Sequence, residues 1–199
     1  MHRVLSKWYL FLASVLVTVT SFCVVVFAKT SPKSEERITF VVGAFNMDVG
    51  ALSQKLNEKK PSSIKEINVK FDALESYNFG YTLTSLIRSD TDFFILPHSY
   101  FDANKGGSVK YAATIKKDYV ESQLERQFEY YVDGDYLKGI KIYDSSLDEG
   151  ILKDYIIYTK EDDKSDYYLF FTYNSHNIGS LNDSGTTNAF TLLKEMFAL

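Results

Sequence analysis

The sequence predicts an α/β domain: a βαβαβ unit with a mostly parallel sheet, then antiparallel hairpins and a C-terminal helix. One N-terminal transmembrane helix precedes it. Three observations carry this reading. Residues 38–45, "ITFVVGAF", form a nearly unbroken apolar, β-branched run, the pattern of a strand covered on both faces. Two segments of helical spacing alternate with this run and two further strand-like runs, as in parallel strands joined by right-handed crossovers. Asp133-Gly134 then lies between two strand-like runs, a strong hairpin signal.

The first element in order is "WYLFLASVLVTVTSFCVVVFA", residues 8–28, which contains no charge. Twenty-one helical residues at about 1.5 Å each match the roughly 30 Å hydrocarbon core of a bilayer. Arg3 and Lys7 precede it, as in the leader of an exported protein. Residues 1–28 are therefore read as a signal-anchor, with a cleaved signal peptide as the alternative. Either places the rest of the chain outside the cytoplasm, and the anchor reading makes it a single-pass cell-membrane protein with an extracellular C-terminal domain. Cys23 is the sole cysteine and lies within this apolar segment. The exported part can form no disulfide, which suits a bacterial cell surface better than a small animal secreted domain. Residues 29–37, "KTSPKSEER", are polar and proline-bearing and read as a linker.

The domain proper is assigned to residues 38–199. After its first strand, Val49, Leu52 and Leu56 recur at helical spacing over residues 47–59, with Asn46 or Asp48 as cap and Pro61 closing the segment. "EINVKFDAL", residues 66–74, alternates as a strand. Residues 79–89 set Leu83, Leu86 and Ile87 on one helical face. "DFFILP" is the third strand. "DANKGGSVK" reads as a loop, and residues 115–127 as a helix with Tyr119, Val120 and Leu124 inward. Residues 128–144 form the predicted hairpin. Residues 153–175 read as a second pair of strands joined by a charged turn from Glu161 to Ser165. "TNAFTLLKEMFAL" closes the chain as an amphipathic helix.

The order of these segments resembles one lobe of a bacterial extracellular solute-binding protein of the carbohydrate ABC-transporter type. "ITFVVGAF" is similar to that family's opening strand. "SDTDFFILPHSYF" resembles the segment that ends a strand and enters the cleft. In "YYVDGDYLKGIKIYD", Asp133, Gly134, Gly139 and Ile140 match the family's hairpin, with Lys138 where a tyrosine is usual. "YYLFFTYNSHNIG" is similar to the closing strand. The resemblance implies a periplasmic-binding-protein-like lobe, a sugar ligand and an ABC permease or other membrane protein as partner. The departure is that residues 145–153 leave no room for a second lobe.

Strand ends of a parallel α/β sheet are where ligands bind. That makes Phe45, Asn46, His98, Ser99 and Tyr100 the candidate ligand residues: the two rings to stack, the others to hydrogen-bond. Gly43 permits close backbone approach or eases packing. Composition excludes other classes. Hydrophobic residues at 45% and charged residues at 24% exclude a disordered chain, and a net charge of -4 argues against nucleic acid as partner. No nucleophile motif, phosphate loop or H-E-x-x-H occurs. No catalytic residue, metal or cofactor is therefore expected. His98 and His176 both follow apolar strands and could approach one another in space, with His176 read as a turn residue. The leading expectation is non-catalytic solute binding associated with uptake. The alternative is a surface interaction or sensor module that has lost the cleft and binds a protein partner.

Overall fold

The structure, a computed structural model, describes residues 2–103, 107, 109–133, 136–158, 164–179, 181 and 186–198. The chain forms two compact units, residues 1–33 and 34–199. The first is helix α1 (His2–Thr30). Within its 24 residues from Lys7 to Thr30, an 18-residue stretch has a mean hydropathy of 2.6, and none of that stretch is buried. At about 1.5 Å per residue this is long and apolar enough to cross a bilayer, a property that anchors and secretory leaders share. The hydroxyls of Thr18 and Thr20 donate to the carbonyls of Ser14 and Leu16, each at 2.9 Å. These threonine hydroxyls thus find partners inside the helix.

The second unit is a mixed α/β domain. Strand β1 (Arg37–Ala44) is followed by α2 (Val49–Lys59), β2 (Glu66–Ala73), α3 (Phe79–Arg88) and β3 (Phe93–Pro97). The expected βαβαβ unit is present, and β1 lies between β2 and β3, parallel to both. The β1–β2 ladder runs for eight pairs, from Arg37 opposite Glu66 to Ala44 opposite Ala73. Asp48 caps α2, its side chain accepting from the Ala51 N–H at 2.9 Å. Beyond β3 the chain enters α4 (His98–Ala103), β4 (Ile115–Lys116) and α5 (Lys117–Leu124). The hairpin of β5 (Tyr130–Asp133) and β6 (Tyr136–Asp144) comes next, then β7 (Glu149–Gly150), β8 (Tyr167–Phe171) and α6 (Asn188–Phe197). The sheet order is β2-β1-β3-β8-β6-β4, with β5 and β7 also pairing with β6. Every pairing outside β1–β2 and β1–β3 is antiparallel, so the sheet is mixed.

The strand alternation divides the core in two. Ile38, Phe40 and Val42 of β1, Phe93 and Ile95 of β3, and Leu169 and Phe171 of β8 meet α2, α5 and α6 on one face. Val41, Phe94, Leu96 and Phe170 meet Phe79, Leu83 and Ile87 of α3 and Phe101 of α4 on the other. Phe94 and Phe170 stack across β3 and β8 with centroids 4.9 Å apart. Burying each such ring contributes about 1.5–3 kcal/mol.

Four expectations are corrected. The linker assigned to residues 29–37 is shorter: α1 reaches Thr30, and Ser34–Glu36 is a 3-10 turn leading straight into β1 at Arg37. Helix α5 is shorter than residues 115–127, because Glu125 turns left-handed (φ 54) and ends it. Over residues 153–175 only β8 is a strand among the described residues: residues 151–155 are turns, and Ile156 makes one isolated bridge to Met47. The segment after Pro97, read from the sequence as a strand ending that enters a cleft, is helix α4. Gly134 of the hairpin turn, Glu161–Asp163 of the charged turn, and residues 104–106 and 108 of the loop lie outside the described residues.

Candidate functional site

The carboxyl ends of β1 and β3 are adjacent, so the chain brings Phe45 and Asn46 to the same sheet end as His98, Ser99 and Tyr100. What fills that end is the chain itself. Past β1, the Asn46 carbonyl accepts from the Ile157 N–H at 3.1 Å, and the Asp48 N–H donates to the Tyr155 carbonyl at 2.8 Å. Past β3, the His98 N–H donates to the Asp166 carbonyl at 2.8 Å and the Ser99 N–H to Ser165 Oγ at 3.0 Å. These backbone groups, free at an open strand end, are paired here with residues 155–157 and 165–166.

The side chains follow the same logic. Phe45 is half-buried and Asn46 exposed. The exposed His98 ring rests edge-on against Phe101 at 5.0 Å. Tyr100 is half-buried, edge-on to Phe79 at 5.0 Å. Gly43, the residue that would let a ligand approach the backbone, is covered by Phe79. A Cβ there would lie 2.5 Å from Phe79 Cζ and 2.8 Å from Leu96 Cδ2. The glycine therefore serves helix-on-sheet packing. His98 and His176 do not meet. Strand β8 runs antiparallel to β3, so the residues past its end lie at the opposite end of the sheet, about 13 Å away along five residues of strand.

A charge cluster, unanticipated from sequence, holds the covered end in place. Lys141 of β6 reaches Asp144 at 2.7 Å, Asp166 at 2.9 Å and Glu129 at 3.2 Å, with its side chain 11% exposed. Burial opposes the Lys141 charge, and the hydrogen bonds to these carboxylates outweigh it, so its pKa lies above the usual value. Hydrogen bonds from Lys141, Ser146 and the Leu147 N–H hold the Asp144 carboxyl well below the usual range. Burial pushes Asp166 up, and the bonds from Lys141 and Ser145 more than offset it. The signal for this cluster in the sequence is a lone lysine between Ile140 and Ile142 in a strand run, whose partners lie as far as 25 positions away. A single ammonium thus ties together carboxylates from residues 129, 144 and 166, which suits a clasp.

At the other sheet end sits a buried carboxylate, Asp92. It accepts from the Thr39 N–H at 2.9 Å, Ser175 Oγ at 2.6 Å and Asn177 Nδ2 at 2.9 Å. Asn177 Nδ2 also donates to the carbonyls of Arg37 and Ser34. Among the described residues no group of three His, Cys, Asp or Glu is placed to hold a metal ion.

Two open hollows mark the surface. One, of about 790 Å³, is lined by charged and apolar residues including Lys55, Glu129, Lys141, Asp154 and Tyr155. The other, of about 840 Å³, runs along α3 and is lined by Tyr77, Gly80, Tyr81, Thr84, Ser85, Arg88, Ser89 and Tyr111. None of the five predicted ligand residues lines either hollow. No protein-family model matches this chain, and no curated protein sequence matches it.

Proposed function

We propose that this chain is a membrane-tethered, extracytoplasmic, non-catalytic interaction module that engages a partner protein through its outer surface. The observation supporting this reading is the pairing of the β1 and β3 ends with residues 155–157 and 165–166. The positions where a doubly wound sheet receives a small ligand are occupied by the module's own backbone. Helix α1 supplies the anchor on this reading.

The solute-binding reading is kept as a second proposal, because His98 and Ser99 are exposed beside the end of β1. On it, a sugar would bind there and an ABC permease would be the partner. A thermal-shift series on the full chain in detergent separates the two. A ligand that binds the native state raises Tm. The interaction reading expects no shift with mono- and oligosaccharides that depends on His98 or Ser99. A sugar-induced rise in Tm abolished by His98→Ala and Ser99→Ala would overturn it in favour of solute binding.

A further inference from the structure

The hollow along α3 combines tyrosine rings, hydroxyls and one guanidinium. Tyr77 just precedes the helix, and Tyr81, Thr84 or Ser85, and Arg88 follow at three- and four-residue steps. They therefore form one stripe along the helix, about 16 Å from end to end at 1.5 Å per residue. Tyr77 is 100% exposed and Tyr81 84% exposed. Tyr111 faces them across the hollow, with the Lys110 ammonium 5.0 Å from its ring centroid. The opposite side of α3 is anchored by buried Phe79, Leu83 and Ile87, so the stripe rests on a rigid support.

The Arg88 guanidinium is the notable charge. Its acidic neighbour in sequence, Asp90, is bound instead to Arg37. Among the described residues no carboxylate pairs with Arg88. In a chain of net charge -4, Arg88 and Lys110 make this hollow a local cationic site. Its lining contains no aliphatic side chain, so it offers none of the apolar pockets that seat a peptide helix. Serine and threonine, present here in three positions, are scarce at protein hot spots. What the hollow offers is flat aromatic faces, a row of hydroxyls and one planar, bidentate cation. Too few cations are present for a nucleic-acid backbone.

We infer that the α3 hollow binds an anionic saccharide chain, its ring faces stacked on Tyr81 and Tyr77, its hydroxyls bonded to Thr84, Ser85 and Ser89, and a carboxylate held by Arg88. This goes beyond the interaction reading and does not depend on it, since it concerns a different face of the domain from the β1 and β3 ends.

The test is titration calorimetry of the full chain in detergent micelles with a short oligogalacturonide. A neutral malto-oligosaccharide of equal length and inorganic phosphate serve as separate titrants. The wild type is expected to bind the oligogalacturonide and to bind phosphate and the neutral chain at least tenfold more weakly. Tyr81→Ala is expected to weaken oligogalacturonide binding about tenfold through lost stacking. Arg88→Gln is expected to erase the preference for the charged over the neutral chain. Both positions are exposed, so an unchanged Tm is expected in each variant. Lys59→Ala, on the exposed surface of α2 across the sheet from α3, is the control and should bind as the wild type does. Absence of oligogalacturonide binding, binding untouched by Tyr81→Ala and Arg88→Gln, or phosphate binding of equal strength would each overturn the inference. The last would reduce the site to a bare anion contact.

Discussion

Asp92 shows how one side chain can set both the stability and the acid response of the domain. Its two oxygens take three donors, and burial pushes its pKa above the ordinary value against the pull of Ser175, Asn177 and the Thr39 N–H. A raised carboxyl pKa means that the folded state keeps a proton which the unfolded state has lost. Its contribution to stability therefore grows as pH falls from neutrality through that raised value toward about 4. Asp144 and Asp166 act in the opposite sense. Their lowered pKa values add stability above about 4, and that is lost as pH falls further. Asp92→Asn turns an amide N–H toward donors and should cost about 1–3 kcal/mol. The urea unfolding difference between wild type and Asp92→Asn should widen as pH is lowered from neutrality toward about 4. A difference that stays constant over that range would contradict the raised pKa.

At the scale of elements, the close seat of α3 on β1 makes the sharpest claim. Phe79 and Leu96 leave no space for a Cβ at Gly43. Gly43→Ala should destabilise by about 1–3 kcal/mol through overpacking, and Phe79→Leu in the same chain should recover part of it by clearing the ring. Denaturant midpoints of the single and double variants would check this; additive losses would exclude a direct clash. Elements were legible in the sequence where local pattern and tertiary fate agreed. The continuous run Ile38–Ala44, the spacing of Leu83 and Ile87, and the Asp48 cap all report on neighbours a few residues away. Residues 153–157 misled because Tyr155, Ile156 and Ile157 have strand composition yet are used singly. They cross the end of β1 and bond to Asn46 and Asp48, over a hundred residues earlier, which no local period reveals. The candidate site suffered for the same reason: "PHSYF" looks like an exposed strand ending, and its cover comes from Ser165 and Asp166. Tyr77, Tyr81 and Arg88 were readable as the polar side of an amphipathic helix. Their exposure as one stripe required the fold.

For the whole molecule, the boundary between α1 and the domain is the feature most open to direct trial. The Ser34 and Arg37 carbonyls accept from Asn177, and the Glu35 carbonyl accepts from Asn188 Nδ2 at 2.6 Å. A chain beginning at residue 34 should melt at the same temperature as the full protein's domain. One beginning at residue 38, the boundary suggested by sequence, loses these bonds and the Arg37–Asp90 ion pair. It should be less stable by about 2 kcal/mol. Equal melting of the two truncations would show that the 3-10 turn is only a passive lead-in.

That junction also decides how the domain carries load. The chain leaves α1, passes the six residues 31–36 and enters β1, which is hydrogen-bonded on both sides, for eight residue pairs with β2 alone. Tension arriving from a membrane anchor would pull β1 along its own axis, across ladder bonds that must then yield together in shear. A strand peeled from a sheet edge would yield one bond at a time. By threading its first strand into the sheet interior, the domain places a strand held on both sides where a pull on the tether would first arrive.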